Sequence, residues 1–444
     1  MYRWIHALKI TPLILLALLL GPKSLLAVPS MGRQMGMECA SCHTVFPELT
    51  PFGRQFKLRG FSMSGPPREK SLLTILPISG LLQASITSTA KTNTTGARPS
   101  DFPRDGDPLL QAAGVYYGGK IIGNSGALVQ FSYDGIEERW AMEMFDARYA
   151  DSFTLANKEW VYGLTLSNTP TVTDIYNSTP QWAFPHTETA AVQPAASTLL
   201  DLRLASQVGG VGTYVMWNNL VYAEAAFYRA GRHGAARALT AGNPIENVVD
   251  DFAPYWRVAL QREWGSHSLS VGTYGMVADL FPEGELSGPT NRFRDLAFDA
   301  QYQYIAEDHI FTAQANYIHE KQTWAAGFVE GEASNRSDTL RTLKADVHYY
   351  FQRKYGLGIQ YFFTRGDRDE LLYNTGEPVF GSATGSPNTD GWLAELNYLP
   401  LPYLKLALRY TGYTQFNGAS NNYDGFGRDA GDNNSLFFLT WVLF

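Results

Sequence analysis

Cys39, Cys42 and His43 form the most informative pattern in this 444-residue sequence. The run Cys39-Ala40-Ser41-Cys42-His43 has the spacing of a c-type haem attachment site, in which two thiols form thioethers with the haem vinyl groups and the histidine ligates iron. A zinc site would need a second pair of ligands, and the sequence has no other cysteine. A thioredoxin-like pair would need a βαβ context, which the flanking residues do not supply. We therefore predict one covalently bound c-type haem.

The second axial ligand of the iron is open. Met63, twenty residues beyond His43, is one candidate, because a thioether opposite histidine stabilises ferrous iron. Met31, Met35 and Met37 are alternatives, and any of these methionines could simply pack in a small core. A histidine of the remaining chain or a water molecule is also compatible with the pattern.

Three cations follow the motif and could bind the haem propionates. Arg54, Lys57 and Arg59 lie within 16 residues of His43, and buried carboxylates need fixed cations. The alternative interpretation is equally open: these cations could form ion pairs with the rest of the protein or line a solvated face.

The beginning of the chain predicts export. Arg3 and Lys9 precede the apolar run 10–20, and Ala27 offers a small residue before a cleavage point. A membrane anchor would need about 20 apolar residues, and this run already contains Thr11 and Pro12. We predict a signal peptide over residues 1–27, which delivers the motif to the compartment where such haems are attached.

Residues 28–72 are predicted to be a small cytochrome segment. They separate the expected cleavage point from the first strand-like run. A segment of this length usually needs a staple or a partner surface, because it cannot build a sufficient core of its own. The haem is one such support, and the rest of the protein must provide the other.

The composition of the whole chain favours a strand-rich membrane protein. Only 17% of the residues are charged, 45% are hydrophobic and 14% are aromatic, with 41 glycines and 25 tyrosines. Long apolar runs are absent after the first 30 residues, which argues against a helical membrane protein. A net charge of −7 gives no basic patch, so nucleic acid is not a predicted partner.

Residues 73–444 alternate between apolar and polar side chains. Leu296 and Phe298 fall on one parity, and Asp295, Asp299 and Gln303 fall on the other. One face is therefore compatible with lipid and the other with water. Sixteen segments of this kind begin near residues 74, 108, 125, 141, 153, 203, 219, 254, 266, 294, 308, 339, 355, 391, 402 and 435.

The connections between these segments support a transmembrane barrel. Short turns such as 264–266 follow even-numbered segments, and long polar connections such as 168–197, 366–389 and 415–434 follow odd-numbered ones. Short periplasmic turns that alternate with long outer loops are typical of outer-membrane barrels, and a soluble sandwich would not need apolar outer faces. We predict an all-β, 16-stranded antiparallel transmembrane β-barrel, with a small N-terminal c-type haem plug in the lumen.

The motif region resembles the fused outer-membrane cytochrome-porins of iron-oxidising bacteria. The similarity covers residues 37–61; the barrel is similar only in length and strand pattern. Phe61 stands where a tyrosine is expected, which removes one hydroxyl contact. The matching residues are Cys39, Cys42, His43, Thr44, Pro47, Leu49, Phe52, Gly53, Arg54, Phe56, Lys57 and Gly60.

The resemblance implies a monohaem protein that takes electrons from extracellular Fe(II) and passes them to a periplasmic carrier, a cytochrome or a copper protein. It makes the chain an Fe(II) oxidase-like electron-transfer protein of the outer membrane, with extracellular surface loops and lipid around its barrel. A non-iron donor, or a haem-gated porin or sensor, is the alternative. His348, on the polar parity, could reach the haem or simply line the lumen.

Acidic residues in the outer loops are candidates for transient Fe(II) binding, since Fe(II) accepts oxygen ligands. Ordinary solvated loop charges are the alternative interpretation. The two groups are Asp367, Asp369 and Glu370, and Asp101, Asp105 and Asp107.

Overall fold

Sixteen antiparallel strands close into one barrel in the computed structural model, which describes residues 29–65, 77–92, 105–187, 192–283 and 285–444. The predicted signal peptide, with its boundary at 27/28, and the predicted boundary at 72/73 lie outside these ranges. The strands are β1 (Ile78–Thr89), β2 (Pro108–Ile122), β3 (Ser125–Asp134), β4 (Arg139–Leu155), β5 (Lys158–Ser167), β6 (Val208–Trp217), β7 (Val221–Ala230), β8 (Ala253–Trp264), β9 (His267–Leu280), β10 (Asn291–Ile305), β11 (His309–Thr323), β12 (Ser337–Phe351), β13 (Tyr355–Gly366), β14 (Thr389–Leu401), β15 (Leu404–Gln415) and β16 (Ser435–Leu443).

The predicted number of strands and their antiparallel order are confirmed. Each strand pairs with its neighbours in sequence, and β1 pairs with β16 to close the sheet. The largest errors are at β5 and β6, which begin five residues later than predicted. β4 continues through Leu155, and the residues near 203 form a short π-helix, Leu199–Arg203, instead of a strand.

The two faces of the wall differ in the predicted way. On β10, Leu296 and Phe298 are 41% and 51% exposed on the outside, whereas Asp295 and Gln303 are 6% and 0% exposed. The apolar outer face suits lipid, and the polar side chains face a filled lumen. A closed barrel satisfies its backbone hydrogen bonds within the sheet, which is how strands cross the bacterial outer membrane. The chain is an outer-membrane barrel surrounded by lipid.

The turns and loops separate the two ends of the barrel. The end with two- to three-residue turns, among them 123–124, 156–157 and 265–266, is periplasmic by the usual topology. Long loops occupy the opposite end and include three short helices, α4 (Gly234–Leu239), α5 (Ala325–Glu330) and α6 (Glu370–Tyr373). Among the described helices, none has both the length and the apolar character needed to cross a membrane.

The connection between β5 and β6 differs from the expected solvated outer loop. Its described residues, 168–187 and 192–207, are called the lumen loop here, because most of residues 168–184 are buried inside the barrel. Its polar groups meet polar groups of the wall: Asp174 Oδ1 lies 3.4 Å from Arg257 Nη2, and Ser178 donates a hydrogen bond to Asp299. The loop folds inward because the charged lumen face offers these partners.

Residues 29–65, called the plug, lie inside the barrel at the end with short turns. The plug contains α1 (Ser30–Met35), α2 (Cys39–Cys42) and α3 (Pro51–Leu58). Its contacts reach opposite sides of the wall, from Ser79 on β1, through Tyr214 on β6, to Thr312 on β11. The plug has no core large enough to stand alone, so the wall and the lumen loop hold it.

Candidate functional site

The Cys39–Cys42 turn is clamped against the N-terminus of α3. Thr50 caps this helix by accepting a hydrogen bond from Gly53 N–H, and Pro51 occupies the first helical position. The Thr50 hydroxyl and amide donate to the carbonyl oxygens of Ser41 and Cys42, at 2.7 and 2.9 Å. A β-carbon at Gly53 would lie 2.1 Å from the Cys42 carbonyl oxygen. Only glycine permits this close approach, which fixes α3 against the motif.

His43 presents one nitrogen of its ring for a further bond. Its amide donates to the Cys39 carbonyl at 2.9 Å, and its Nδ1 lies 3.3 Å from Pro47 O and 3.1 Å from Glu48 O. Two carbonyl acceptors place the proton on Nδ1, which leaves the Nε2 lone pair for a metal. Loss of hydration lowers the pKa of His43, and this favours the neutral ring that binds iron.

The two thiols are one helical turn apart and are not joined by a disulfide. Burial raises the pKa of Cys39, and burial together with the neighbouring Cys39 raises the pKa of Cys42 to about 11. Thioredoxin-like cysteines have the opposite property, a pKa lowered toward neutrality. The electrostatics therefore argue against a catalytic dithiol. A turn with two thiols and a histidine whose Nε2 is available fits the requirements of c-type haem attachment.

Three of the candidate methionine ligands lie together. Met31, Met35 and Met63 contribute to one apolar cluster, which also includes the rings of Phe56 and Phe61. Met37 is separate from this cluster and is 39% exposed. Met63 stays the predicted second axial ligand. Met31 and Met35 lie in the same cluster and remain the alternatives for this role.

The three cations of the plug are anchored to the wall and the lumen loop. Arg54 donates to Gln303 Oε1 at 2.8 Å and to Ser268, and it lies 3.8 Å from Glu263. Lys57 Nζ lies 2.9 Å from Val172 O and 4.8 Å from the centre of the Trp182 ring. These contacts match the alternative interpretation, in which the cations join the plug to the rest of the protein.

Arg59 is the most exposed of these cations. It pairs with Glu159 through two hydrogen bonds of 2.9 and 3.0 Å.

The charge of Lys57 depends on its surroundings. Burial, and after it the guanidinium of Arg148, lower the pKa of Lys57 to about 7, so an added carboxylate would stabilise its charged form. Contact with haem propionates stays a prediction for Arg54, Lys57 and Arg59.

A buried carboxylate and two imidazoles were not predicted as a site. Glu48 of the plug contacts His348 Nε2 on β12, and His186 Nε2 of the lumen loop lies 3.7 Å from Glu48 Oε1. Burial alone would raise the pKa of Glu48, but the two imidazoles outweigh it and hold that pKa below its ordinary value. His348 faces the lumen, as its position in the alternating pattern of β12 predicts. No feature of the sequence predicts that His186 lies close to Glu48.

The outer acidic residues have structural roles in the loops. Asp369 caps α6 and accepts hydrogen bonds from the amides of Ser334 and Asn335. Asp367 accepts from the Thr339 amide, and Glu370 pairs with Arg368. Asp105 accepts a hydrogen bond from the Thr89 amide, and Asp107 is exposed directly before β2. Asp101 lies outside the described residues. These contacts support the ordinary-loop interpretation rather than an iron site.

The sequence matches no protein-family model, and no curated protein matches it. Solved porin structures are similar in shape. The outer-membrane channel DcaP of Acinetobacter baumannii is 10% identical and aligns over 83% of this chain and 96% of its own, with a TM-score of 0.47. The anion-selective porin of Comamonas acidovorans is 10% identical over 82% and 98%, with a TM-score of 0.44. OmpT of Vibrio cholerae is 10% identical over 83% and 97%, with a TM-score of 0.42.

Proposed function

We propose that this outer-membrane barrel is a monohaem c-type cytochrome-porin that takes electrons from extracellular Fe(II) and passes them to a periplasmic cytochrome or copper protein. The observation that carries the proposal is the arrangement of the motif: two thiols on one turn, followed by an imidazole whose Nδ1 is satisfied by carbonyl oxygens. Resemblance of residues 37–61 to the cytochrome-porins of iron-oxidising bacteria supports the same conclusion.

Each residue of the motif has a defined task in this proposal. Cys39 and Cys42 would hold the haem covalently, and His43 would supply a nitrogen ligand to its iron. The haem would supply one-electron redox chemistry. The plug and the lumen loop would exclude bulk water around it. Arg54 and Lys57 keep the plug in place through their contacts with the wall and the loop.

The position of the plug supports a direction of transfer. The plug contacts the turns of the periplasmic end: Arg353 donates to the carbonyl of His43, and Gln55 donates to Asn219 Oδ1 at 2.6 Å. A periplasmic carrier can therefore dock near the motif. A donor must come from the opposite end, through the lumen or the outer loops, across an apolar band about 25 Å tall.

Intact cells test the proposal and its direction. Cells that carry the protein are given Fe(II) in a chelate too bulky for ordinary porins, and the haem spectrum is recorded. We expect reduction of the haem without rupture of the outer membrane. Shortening of loop 366–389 or 415–434 should change the rate and leave the spectrum unchanged. Reduction only after rupture would show that extracellular Fe(II) is not the donor, and an outer-membrane cytochrome with another donor would then be the better proposal.

A haem-gated porin or sensor is the second candidate, since the plug fills the lumen of a porin-like barrel. Conductance separates it from electron transfer. A permanently filled lumen should pass little ion current, in either oxidation state, through single molecules in a planar bilayer. Large currents that switch with oxidation state or with a bound gas would support the gated porin or sensor instead.

A further inference from the structure

The outer face of the barrel carries a group of cations near its extracellular end. Arg294 on β10, Lys321 on β11 and Arg341 on β12 are exposed and point away from the lumen. These three residues are called the cationic patch here. Arg294 lies on the same face of β10 as Leu296 and Phe298, which face lipid. The patch therefore belongs to the lipid-facing surface and not to an aqueous loop.

The strand register brings these cations side by side. Arg294 is directly opposite Lys321 on the neighbouring strand, and Lys321 is diagonal to Arg341. Arg341 is in turn directly opposite His319 on β11 and Arg365 on β13. Directly opposite side chains of an antiparallel pair have β-carbons about 4.5–5.5 Å apart, and like charges at this distance destabilise the pair. The fold therefore holds cations against one another at this position.

The acidic residues around the patch do not neutralise it. Asp279 pairs with Arg292 at 2.7 Å, and Asp390 pairs with Arg365 at 2.9 Å. Asp367, which follows β13, accepts a hydrogen bond from a backbone amide. Within the described part of the chain, the three residues of the patch form no ion pair. The patch therefore keeps its positive charge available for an anion from outside the protein.

Other parts of the outer face are apolar at this end of the barrel. On β5 and β6, Leu166 and Val211 are directly opposite each other near the extracellular end, and both are exposed. Val277 on β9 lies directly opposite Arg294, on the side away from Lys321. The positive charge is therefore concentrated over β10, β11 and β12, with apolar wall beside it.

The height of the patch corresponds to the head-group layer of the outer leaflet. Arg294 and Tyr304 face outward at opposite ends of β10, and ten residues separate their positions. At about 3.3 Å per residue and a strand tilt of about 35–45°, this separation spans roughly 25 Å along the membrane normal, which is the height of the apolar band. Aromatic rings such as Tyr304 mark the periplasmic boundary of that band. The patch therefore lies at its extracellular boundary, where the lipid head groups begin.

We propose that the cationic patch binds the phosphate groups of an anionic glycolipid of the outer leaflet, of the lipopolysaccharide class. The guanidinium groups of Arg294 and Arg341 match phosphate oxygens with paired hydrogen bonds, and Lys321 between them adds a point charge. A bound phosphate also removes the repulsion between the facing cations. The acyl chains of the glycolipid lie along the apolar wall below the patch, which includes Leu296 and Phe298.

Glycolipid binding is measured with the purified full-length protein in a neutral maltoside detergent. The probe is diphosphorylated lipid A, and native mass spectrometry records the bound fraction at each lipid concentration. The combined variant Arg294→Gln, Lys321→Gln and Arg341→Gln should bind about 100-fold more weakly, since each Lys or Arg at an anionic lipid surface contributes a factor of about five. Dephosphorylated lipid A should bind the unsubstituted protein with a similar loss. Equal binding of both lipids would overturn the proposal.

The matched control removes three exposed cations from the periplasmic end of the barrel, through Lys158→Gln, Arg262→Gln and Lys354→Gln. It changes the net charge equally but should keep the affinity within about twofold, because those charges are more than a screening length from the patch. Equal weakening in both combined variants would overturn the site. Excess inorganic phosphate should not displace the lipid, whose acyl chains also contact the wall. Full displacement would assign the patch to free phosphate and overturn the glycolipid proposal.

The unfolding temperature of Lys321→Gln provides a second test, because the effect of this substitution should change sign. In neutral detergent alone, the substitution removes the repulsion with Arg294 and should raise the unfolding temperature. With excess diphosphorylated lipid A, it removes a phosphate contact and should lower the unfolding temperature relative to the unsubstituted protein. A change of the same sign in both conditions would overturn the proposed role of the patch.

Discussion

The barrel wall and the plug depend on different kinds of interaction. The wall is held by continuous backbone pairing, in which every strand has two antiparallel neighbours and β1 closes onto β16. The plug has three helices of 6, 4 and 8 residues, and it is held by side-chain contacts to surrounding elements. A helix of that length is not stable by itself. The wall can therefore form without the plug, whereas the plug needs the wall.

This difference has a functional consequence. The wall supplies lipid compatibility and topology, and the plug supplies the residues that would hold the proposed haem. Substitutions in the plug should alter haem attachment, reduction potential or ion leakage while the barrel still inserts. Variants of the plug test whether the two regions separate in this way.

The largest effect is expected from Cys39→Ser combined with Cys42→Ser. Covalent haem should disappear completely, because no thioether can form, and the heat-modifiable barrel band should remain in the outer membrane. Haem staining of denaturing gels and membrane fractionation measure the two results. Ser41→Ala, between the two cysteines, is the control and should keep the stain. A stain that survives the double substitution would contradict the haem assignment.

Gly53→Ala should damage the plug almost as severely. The new methyl group would collide with the Cys42 carbonyl oxygen, which is backbone and cannot rotate away. We expect a haem yield reduced by at least about tenfold, since a clash of this kind costs 1–3 kcal/mol or more. Gly431→Ala, in the outer loop before β16, tests for a general folding defect, because a β-carbon there would lie 3.8 Å from the nearest atom, Asn434 Nδ2. A normal haem yield in Gly53→Ala would show that the α2–α3 contact is dispensable.

Two arginines of the plug offer a graded comparison. Arg54 is 2% exposed and Arg59 is 30% exposed in their ion pairs. Arg54→Ala should destabilise the plug by about 2–4 kcal/mol because it leaves buried partners unsatisfied. Arg59→Ala should cost less than about 1 kcal/mol, as for other surface pairs. Protease protection of the plug and single-channel conductance report the difference, and equal behaviour of the two variants would refute the anchoring role of Arg54.

Met63→Ala tests the predicted second axial ligand. Loss of a thioether should lower the reduction potential by on the order of 100 mV, within the range of about 0.8 V that axial ligands span. The iron should also become accessible to added ligands, which the haem spectrum detects. Met142→Ala is the control, because Met142 lies at the outer end of β4 and outside the methionine cluster. An unchanged potential and spectrum in Met63→Ala would assign the role to Met31, Met35, Met37 or a barrel residue such as His348.

The wall was predictable from the sequence because side-chain parity and turn length are local properties. The alternation of side chains on β10 correctly predicted which residues face lipid and which face the lumen. The even number of predicted strands correctly indicated a closed sheet of 16 strands. The prediction was wrong at β5 and β6 because the long strand β4 and the π-helix Leu199–Arg203 both carry apolar residues that imitate strand starts.

The site was only partly predictable. The motif at Cys39 to His43 is contiguous, so its geometry follows from one helical turn. The inward fold of the lumen loop and the meeting of Glu48 with His186 depend on charges that lie far apart in the sequence. No periodicity or short motif encodes such contacts, and they become visible only when the plug, the loop and the wall are assembled.

Rapid anaerobic mixing of the purified protein with Fe(II), followed through the haem spectrum, tests the central claim most directly. The account predicts that ferric haem becomes ferrous in a single phase whose rate increases with Fe(II) concentration until a bound donor saturates. Cys39→Ser/Cys42→Ser should show no such signal. If purified protein with covalent haem is never reduced by Fe(II), the assignment of this barrel as an iron-oxidising cytochrome-porin is wrong.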